Sequence, residues 1–277
     1  MRNNAIFKKT LGPLSSYLIS ELKKANKNIF RLKDAQSILN KTPQATADLL
    51  SELAKEEIIL RLKPGLFLIV PLEADKNYLE NRYIVAKEFI YPHKYYISHY
   101  SAMAIHGMTT QPVFKVFIAS SKRRKNRIIS GQEFIFLYTQ PYNFFGIEDK
   151  WITKQDKVKV SGLEKTIVDA LARPQLCGGV SEIAKGIWLK KQNINYHRLL
   201  NYCHKTRVKA VAKRLGFILE TLNLIDNDWL TKLRDYIEDS KAYILLEPGL
   251  KRQSRYLERW RLLINFNPEE LKSIIWT

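Results

Sequence analysis

The sequence predicts an α+β protein on three observations. Helical apolar spacing opens the chain and gives way to a short hairpin. Strand-like runs separated by turn residues gather between residues 113 and 160. After residue 177 the pattern is helical again. The length, 277 residues, sets a prior of about two domains at roughly 150 residues each.

Taken in order, Pro13 after Gly12 suits the first turn of a helix whose apolar residues are Leu14, Tyr17, Leu18, Leu22 and Ala25. A second short helix is expected over 33–39. Thr42 then offers an N-cap hydroxyl and Pro43 a pre-set first turn, opening a third helix that runs to about residue 57. Two apolar runs, 58–62 and 66–71, flank Lys63-Pro64-Gly65. Proline fixes the first central dihedral of a type II turn there, and glycine supplies the positive second one. Three helices followed by a hairpin is the order of a winged helix-turn-helix.

Residues 75–94 read as a connecting helix carrying Leu79, Tyr83, Ala86 and Ile90, closed by Pro92, and a short helix follows over 98–107. Strands are expected at 113–119, 133–138, 151–152 and 158–160. Ser161-Gly162-Leu163-Glu164 has the form of a capping box, opening a helix that Arg173-Pro174 stops. On that helix Lys165 and Asp169 are expected to pair on the exposed side. Helices over 207–224 and 229–238 and a strand over 260–264 complete the chain. The division is thus 1–74, a winged helix-turn-helix; 75–94, a connecting helix; and 95–277, a mixed sheet-and-helix domain.

Lys and Arg outnumber Asp and Glu by 46 to 27, a formal net charge of +19 with a pI near 9.8. The excess is +6 over 1–72, +6 over 73–176 and +7 over 177–277, so the basicity belongs to the whole chain and not to a tail. Such a field favours a polyanion, nucleic acid before an anionic membrane. With 45% hydrophobic residues, 11 Gly and 10 Pro, collagen-like and disordered classes are excluded. Two cysteines, Cys177 and Cys203, make no disulfide framework. The first nine residues lack the apolar core of a secretory signal. The longest stretch without a charged residue, 95–114, is interrupted by Ser98, His99, Ser101 and His106. A soluble, cytoplasmic protein without a membrane partner is expected.

On a helical wheel Ala45, Leu49, Leu50 and Leu53 gather on one side of the third helix, and Gln44, Ala47, Asp48, Ser51 and Lys55 face away. A helix that reads the major groove needs this division. Gln44 suits adenine, Thr42 and Ser51 offer hydroxyls, Lys41 and Lys55 suit phosphates, and Arg61 and Lys63 stand at the hairpin as a wing. Asp48 opposes phosphate unless it accepts from a cytosine amino group. A second basic surface is expected from Lys122, Arg123, Arg124, Lys125 and Arg127, five cations in six residues between two strands. It is extended by Lys205, Arg207, Lys209, Lys213 and Arg214 on the 207–224 helix and its approach, and a third cluster holds Lys251, Arg252, Arg255, Arg259 and Arg261.

No phosphate-binding Gly-rich loop and no Gly-x-Ser-x-Gly occurs. His99 with His106, and His197 with His204, stand seven apart, wider than the usual metal-ligand spacings. No metal, cofactor or catalytic residue is therefore expected. One alternative uses Glu133, Glu148 and Lys150 as the acid, acid-x-Lys pattern of metal-dependent nucleases, two carboxylates holding Mg²⁺ while the lysine steadies the nucleophile.

Specific strings resemble a known family. Tyr96-Ile97-Ser98-His99-Tyr100-Ser101-Ala102-Met103-Ala104-Ile105-His106-Gly107-Met108-Thr109 looks like the segment opening the C-terminal domain of AbiE-type antitoxins. Glu164-Lys165-Thr166-Ile167-Val168-Asp169-Ala170-Leu171, with Pro174 and Cys177-Gly178-Gly179, is similar to that family's next block. Arg214-Leu215-Gly216-Phe217-Ile218-Leu219-Glu220 and Trp260-Arg261-Leu262-Leu263-Ile264-Asn265 are similar to later ones. The resemblance covers most of the chain from about Pro13. It implies the antitoxin and autorepressor of a type IV toxin–antitoxin pair used in phage defence. The N-terminal winged helix then binds double-stranded promoter DNA of its own operon, and the C-terminal domain carries the antitoxin activity. The functional partner is a nucleotidyltransferase-like toxin with which no stable complex forms.

Overall fold

The computed structural model describes residues 11–71, 73–74, 78–251 and 255–273. Residues 1–10, the first residues of the helix expected over 75–94 (75–77) and Arg252 of the third basic cluster lie outside the described residues. The chain forms two compact units, one from the residues up to Tyr91 with 127–133, the other from 92–126 and 134 onward. Helices and sheets are mixed in the α+β manner the sequence predicts.

The first unit runs α1 (Pro13–Lys24), β1 (Ile29–Arg31), α2 (Leu32–Leu39), α3 (Pro43–Lys55), β2 (Ile59–Lys63), β3 (Leu66–Ile69) and α4 (Arg82–Ile90). Pro13 opens α1 as expected, but the helix buries Ser15, Leu18, Ile19 and Leu22 and leaves Leu14 and Tyr17 exposed. The three strands form an antiparallel sheet in the order β1-β3-β2. Strand β1 is too short to show a period in the sequence. It is fixed by tertiary pairing, Phe30 opposite Phe67, their rings stacked at 5.7 Å. Gly65 sits at φ +73°, the positive dihedral that the turn between β2 and β3 requires. Leu18, Leu22, Phe30, Leu50, Leu53 and Phe67 form the core. The helix expected over 75–94 is α4, nine residues long and packed as part of this first unit.

In the second unit β4 (Tyr95–Ile97) leads to α5 (His99–Ile105) and β5 (Lys115–Ser120). After β6 (Arg127–Ile129), which falls with the first unit, come β7 (Gln132–Tyr138), β8 (Ile147–Trp151) and β9 (Lys157–Ser161). The strands stand in the order β7-β5-β4-β9-β8; β4 is antiparallel to β5 and parallel to β9, and β8 is antiparallel to β9. Five helices follow: α6 (Leu163–Ala172), α7 (Val180–Lys190), α8 (Tyr196–Thr206), α9 (Lys209–Thr221) and α10 (Asn227–Ile237). A small sheet of β10 (Ile244–Leu245), β11 (Arg255–Leu257) and β12 (Leu262–Ile264), then α11 (Glu269–Ser273), end the described chain.

Helix α9 is the axis of this unit, with every residue from Val211 to Leu219 buried. At Gly216 a Cβ atom would come within 2.1 Å of the Trp260 ring, so the helix–tryptophan contact admits only glycine there. The expected capping box does not form. Gly162 is the N-cap of α6, Ser161 Oγ lies 2.8 Å from Thr166 Oγ1, and Glu164 turns away to Arg198 and to the Asn195 amide. Lys165 and Asp169 do pair, but inside the unit instead of on its surface, the lysine 1% exposed. Both cysteines are buried and free. No helix among the described residues is long and apolar enough to cross a membrane.

Candidate nucleic-acid interface

Helix α3 is placed by its first turn and by three anchors. The Thr42 hydroxyl accepts from the Ala45 amide at 3.3 Å and Pro43 occupies the first position, as the sequence predicts. Thr46, Leu50 and Leu53 are buried, whereas Ala45 is exposed and Leu49 only partly covered. At 100° per residue the inward direction is therefore rotated about 40° from the one the apolar residues alone suggest. Opposite it Gln44, Asp48, Ser51 and Lys55 form one exposed stripe along the helix.

The hydrogen bonds of that stripe are local. Gln44 donates through Nε2 to Asp48 Oδ1 at 2.9 Å, which occupies the carboxylate that otherwise opposes phosphate. Ser51 Oγ donates back to the Ala47 carbonyl at 2.8 Å. Across a cleft of about 350 Å³ from Ser51 and Lys55 stands Arg61 on β2, with Leu50 and Phe67 as the apolar floor. Lys41, Lys55 and Arg61 are exposed, and no ion pair among the described residues engages them. The geometry offers two amide or hydroxyl groups for base edges and three cations for a flanking backbone.

Lys63 corrects the expectation of a two-cation wing. A β-bulge between Arg61 and Lys63 breaks the alternation of β2. The Lys63 ammonium is turned to α4 and donates to the Glu88 and Phe89 carbonyls at 3.1 and 2.9 Å. These are carbonyls of the last helical turn, where a cation is favoured by unpaired acceptors and by the helix dipole. Arg31 braces the same helix, both terminal nitrogens reaching Glu88 Oε2 at 3.0 and 2.8 Å.

The second basic surface is corrected in part. Lys213 and Arg214 are 1% and 5% exposed. Lys213 donates to Ser240 Oγ at 3.0 Å and to the Ala242 carbonyl at 2.5 Å. Arg214 donates to the carbonyls of Leu171, Leu245 and Leu246 at 2.8 to 3.0 Å. Burial lowers the pKa of both, that of Arg214 to about 10. Lys209 is half-buried, pairs with Asp239 at 2.8 Å and donates to the Tyr236 carbonyl. Amphipathic spacing places these residues on a solvent face, and α9 has almost none. Lys205 and Arg207 remain exposed beside rings, Lys205 5.8 Å from Phe145 and Tyr202 and Arg207 5.3 Å from Tyr142. Among residues 122–127, Lys122, Arg123, Lys125 and Arg127 are exposed and Arg124 is half-buried.

Glu133 lies on β7, in the part of that strand that falls with the first unit, and Glu148 on β8 of the second. Glu148 instead pairs with Lys150 at 3.0 Å. The histidines of both pairs are likewise engaged within the second unit. His99 Nδ1 lies 2.9 Å from Ser98 Oγ and His106 Nε2 2.7 Å from the Ser161 carbonyl, while His197 and His204 pack on Trp229 and Tyr236. Among the described residues no three His, Cys, Asp or Glu side chains gather as a metal cluster.

No family model and no curated protein matches the sequence. The fold has a solved counterpart in the crystal structure of the Rv2827c protein from Mycobacterium tuberculosis. The two agree with a TM-score of 0.73 at 12% identity, over 97% of this chain and 96% of that one. At that identity the likeness is one of fold alone.

Proposed function

We propose that the chain is a DNA-binding autorepressor and the antitoxin of an AbiE-type toxin–antitoxin pair. Its first unit is then a winged helix-turn-helix and its second the antitoxin domain. The observation that carries the DNA-binding half is the exposed stripe Gln44, Asp48, Ser51 and Lys55 on α3, faced by Arg61 across the cleft. Side chains that reach base edges, flanked by cations that reach phosphates, are what a helix in the major groove presents. The strand before α2, the three-stranded antiparallel sheet and the Pro64-Gly65 turn after α3 support the winged reading.

The antitoxin half rests on the family resemblance. Its strings fall on the packed framework of the second unit: Ser98 and His99 at the start of α5, Lys165 and Asp169 within α6, Arg214 and Gly216 on α9, Trp260 against Gly216. The partner is a nucleotidyltransferase-like toxin encoded beside this chain in a cytoplasmic phage-defence operon, and the operator is duplex DNA of that operon's promoter.

Co-expression tests both halves. The neighbouring gene alone should arrest growth, and this protein should restore it. Lys55→Ala/Arg61→Ala should release a promoter–reporter fusion from repression without losing rescue. A harmless neighbouring gene overturns the antitoxin assignment, and a reporter indifferent to the wild-type protein overturns the repressor assignment.

A further inference from the structure

The densest charge in the molecule lies outside the proposed operator-reading helix, in the loop after β5. Lys122, Arg123, Arg124 and Lys125 are consecutive, and none forms an ion pair with a carboxylate among the described residues. Like charges this close repel one another, and a segment with no other constraint spreads into solvent. This one is held. The Lys122 amide donates to Ser120 Oγ at 3.1 Å, fixing the loop's exit from the strand. Asn126 Oδ1 accepts from the Phe136 amide at 3.1 Å, tying the other end to β7. Between these ties the Arg123 guanidinium lies 4.5 Å from the centre of the Tyr138 ring, and Arg124 is half-buried with its Nε desolvated and without a hydrogen-bond partner. The arrangement keeps four cations together at a cost in self-repulsion and desolvation that no carboxylate among the described residues offsets.

A cost of this kind is relieved by a polyanion whose charges have matching spacing. We infer that the loop formed by Lys122, Arg123, Arg124 and Lys125 is a second nucleic-acid contact, one that grips the sugar–phosphate backbone without reading sequence. Backbone contacts of this type position a protein on a strand and make its binding salt-dependent. The chemistry is that of consecutive phosphodiesters, so duplex DNA beside the operator and single-stranded RNA are its two sources. The site is contained in the second unit and stands or falls independently of the winged-helix reading.

The test uses full-length protein in which the proposed operator contacts are already removed, Lys41→Ala/Lys55→Ala/Arg61→Ala. Binding of this protein to a scrambled-promoter duplex and to an oligouridylate strand is measured across a salt series. The loop variant adds Lys122→Ser, Arg123→Ser and Lys125→Ser. It should bind more weakly, and the slope of log Kobs against log salt should shrink by about 2–3 for the duplex or about 2 for the single strand. A change confined to one probe identifies which nucleic acid the loop grips. Lys122→Arg/Lys125→Arg, with charge kept, should leave the slope intact, and the melting temperature should stay at that of the parent. Equal affinity and slope before and after the Ser changes, or no binding of either probe by the parent even at low salt, overturns the inference. Promoter binding undiminished in the parent sinks the winged-helix reading and leaves this one standing.

Discussion

The ammonium of Lys63, at the end of β2, donates to the Phe89 carbonyl in the last turn of α4 at 2.9 Å. The same motif recurs in the second unit, where Lys209 reaches the Tyr236 carbonyl near the end of α10 and Arg214 the Leu171 carbonyl near the end of α6. Part of the chain's positive excess is thus spent internally, on carbonyls that a helix leaves unpaired at its C-terminus.

This gives Lys63 a role that mutation can separate from DNA binding. Lys63→Met keeps the apolar stem and removes the charge. It should lower unfolding stability by about 1–2 kcal/mol and leave the salt slope of promoter binding unchanged. Urea denaturation and binding isotherms over a salt series read the two effects. A slope reduced by about one with stability intact returns Lys63 to the wing.

The boundary of the first unit follows from the same helix. A fragment ending at residue 74 lacks α4 and with it the acceptors of Lys63 and the Glu88 partner of Arg31. It should melt well below a fragment ending at Tyr91, which retains both, and should bind promoter duplex poorly at the temperature where the longer fragment binds. Identical melting curves for the two fragments contradict this division.

The Gln44–Asp48 bond makes opposite predictions for its two ends. Gln44→Ala should cost about 1–3 kcal/mol of promoter affinity and relax preference at one base pair. Asp48→Asn removes a negative charge from the stripe and should tighten binding to every duplex, most at low salt. Anisotropy titrations with promoter and scrambled duplexes measure both. Weaker binding by Asp48→Asn to the promoter alone identifies Asp48 as a base-reading group.

Much of the fold could be read along the sequence, and little of what α9 does. Caps and turns announced themselves because their chemistry is local: Thr42-Pro43 opens α3 and Pro64-Gly65 turns the hairpin. The exposed face of α3 was legible from its wheel to within one side chain on each flank. Strand β1 was not, since three residues have no period and its partner is 37 residues away at Phe67. Lys165, Lys213 and Arg214 were misplaced for a different reason. A charged residue on an amphipathic pattern reads as solvent-facing, whereas each here meets a carboxylate or carbonyls supplied by distant parts of the chain or by a neighbouring turn. Glu164 misled through a matching motif, its carboxylate taken by Arg198 from α8.

The buried Lys165–Asp169 pair carries its own test. Lys165→Met removes the cation from a largely buried aspartate and should destabilise the second unit by about 3–5 kcal/mol. Adding Asp169→Leu should recover part of that loss, because the lone buried charge is gone. Denaturation of the two variants and the wild type decides it. Additive losses in the double variant contradict a coupled pair.

His99 predicts an acid-sensitive fold. Burial is the largest cause of its shift and, with the Arg173 and Lys165 cations, outweighs the Asp169 carboxylate, lowering its pKa from 6.5 to about 4. In that window the unfolded chain binds a proton that the folded chain refuses. Stability is therefore full above about pH 6.5 and falls by up to about 1.4 kcal/mol per pH unit towards pH 4. Asn tolerates the positive φ of 49° at this position, so His99→Asn should flatten that slope in urea titrations taken at successive pH values. An unchanged slope assigns the acid sensitivity to other groups.

The most direct measurement is the ratio of affinities of the full-length protein for its own promoter duplex and for the same duplex scrambled, at one physiological salt concentration. A winged helix that reads bases through the α3 stripe should favour the promoter by about a thousandfold or more, and Gln44→Ala should narrow the ratio. Equal affinity of the wild type for the two duplexes contradicts sequence-specific repression by this chain.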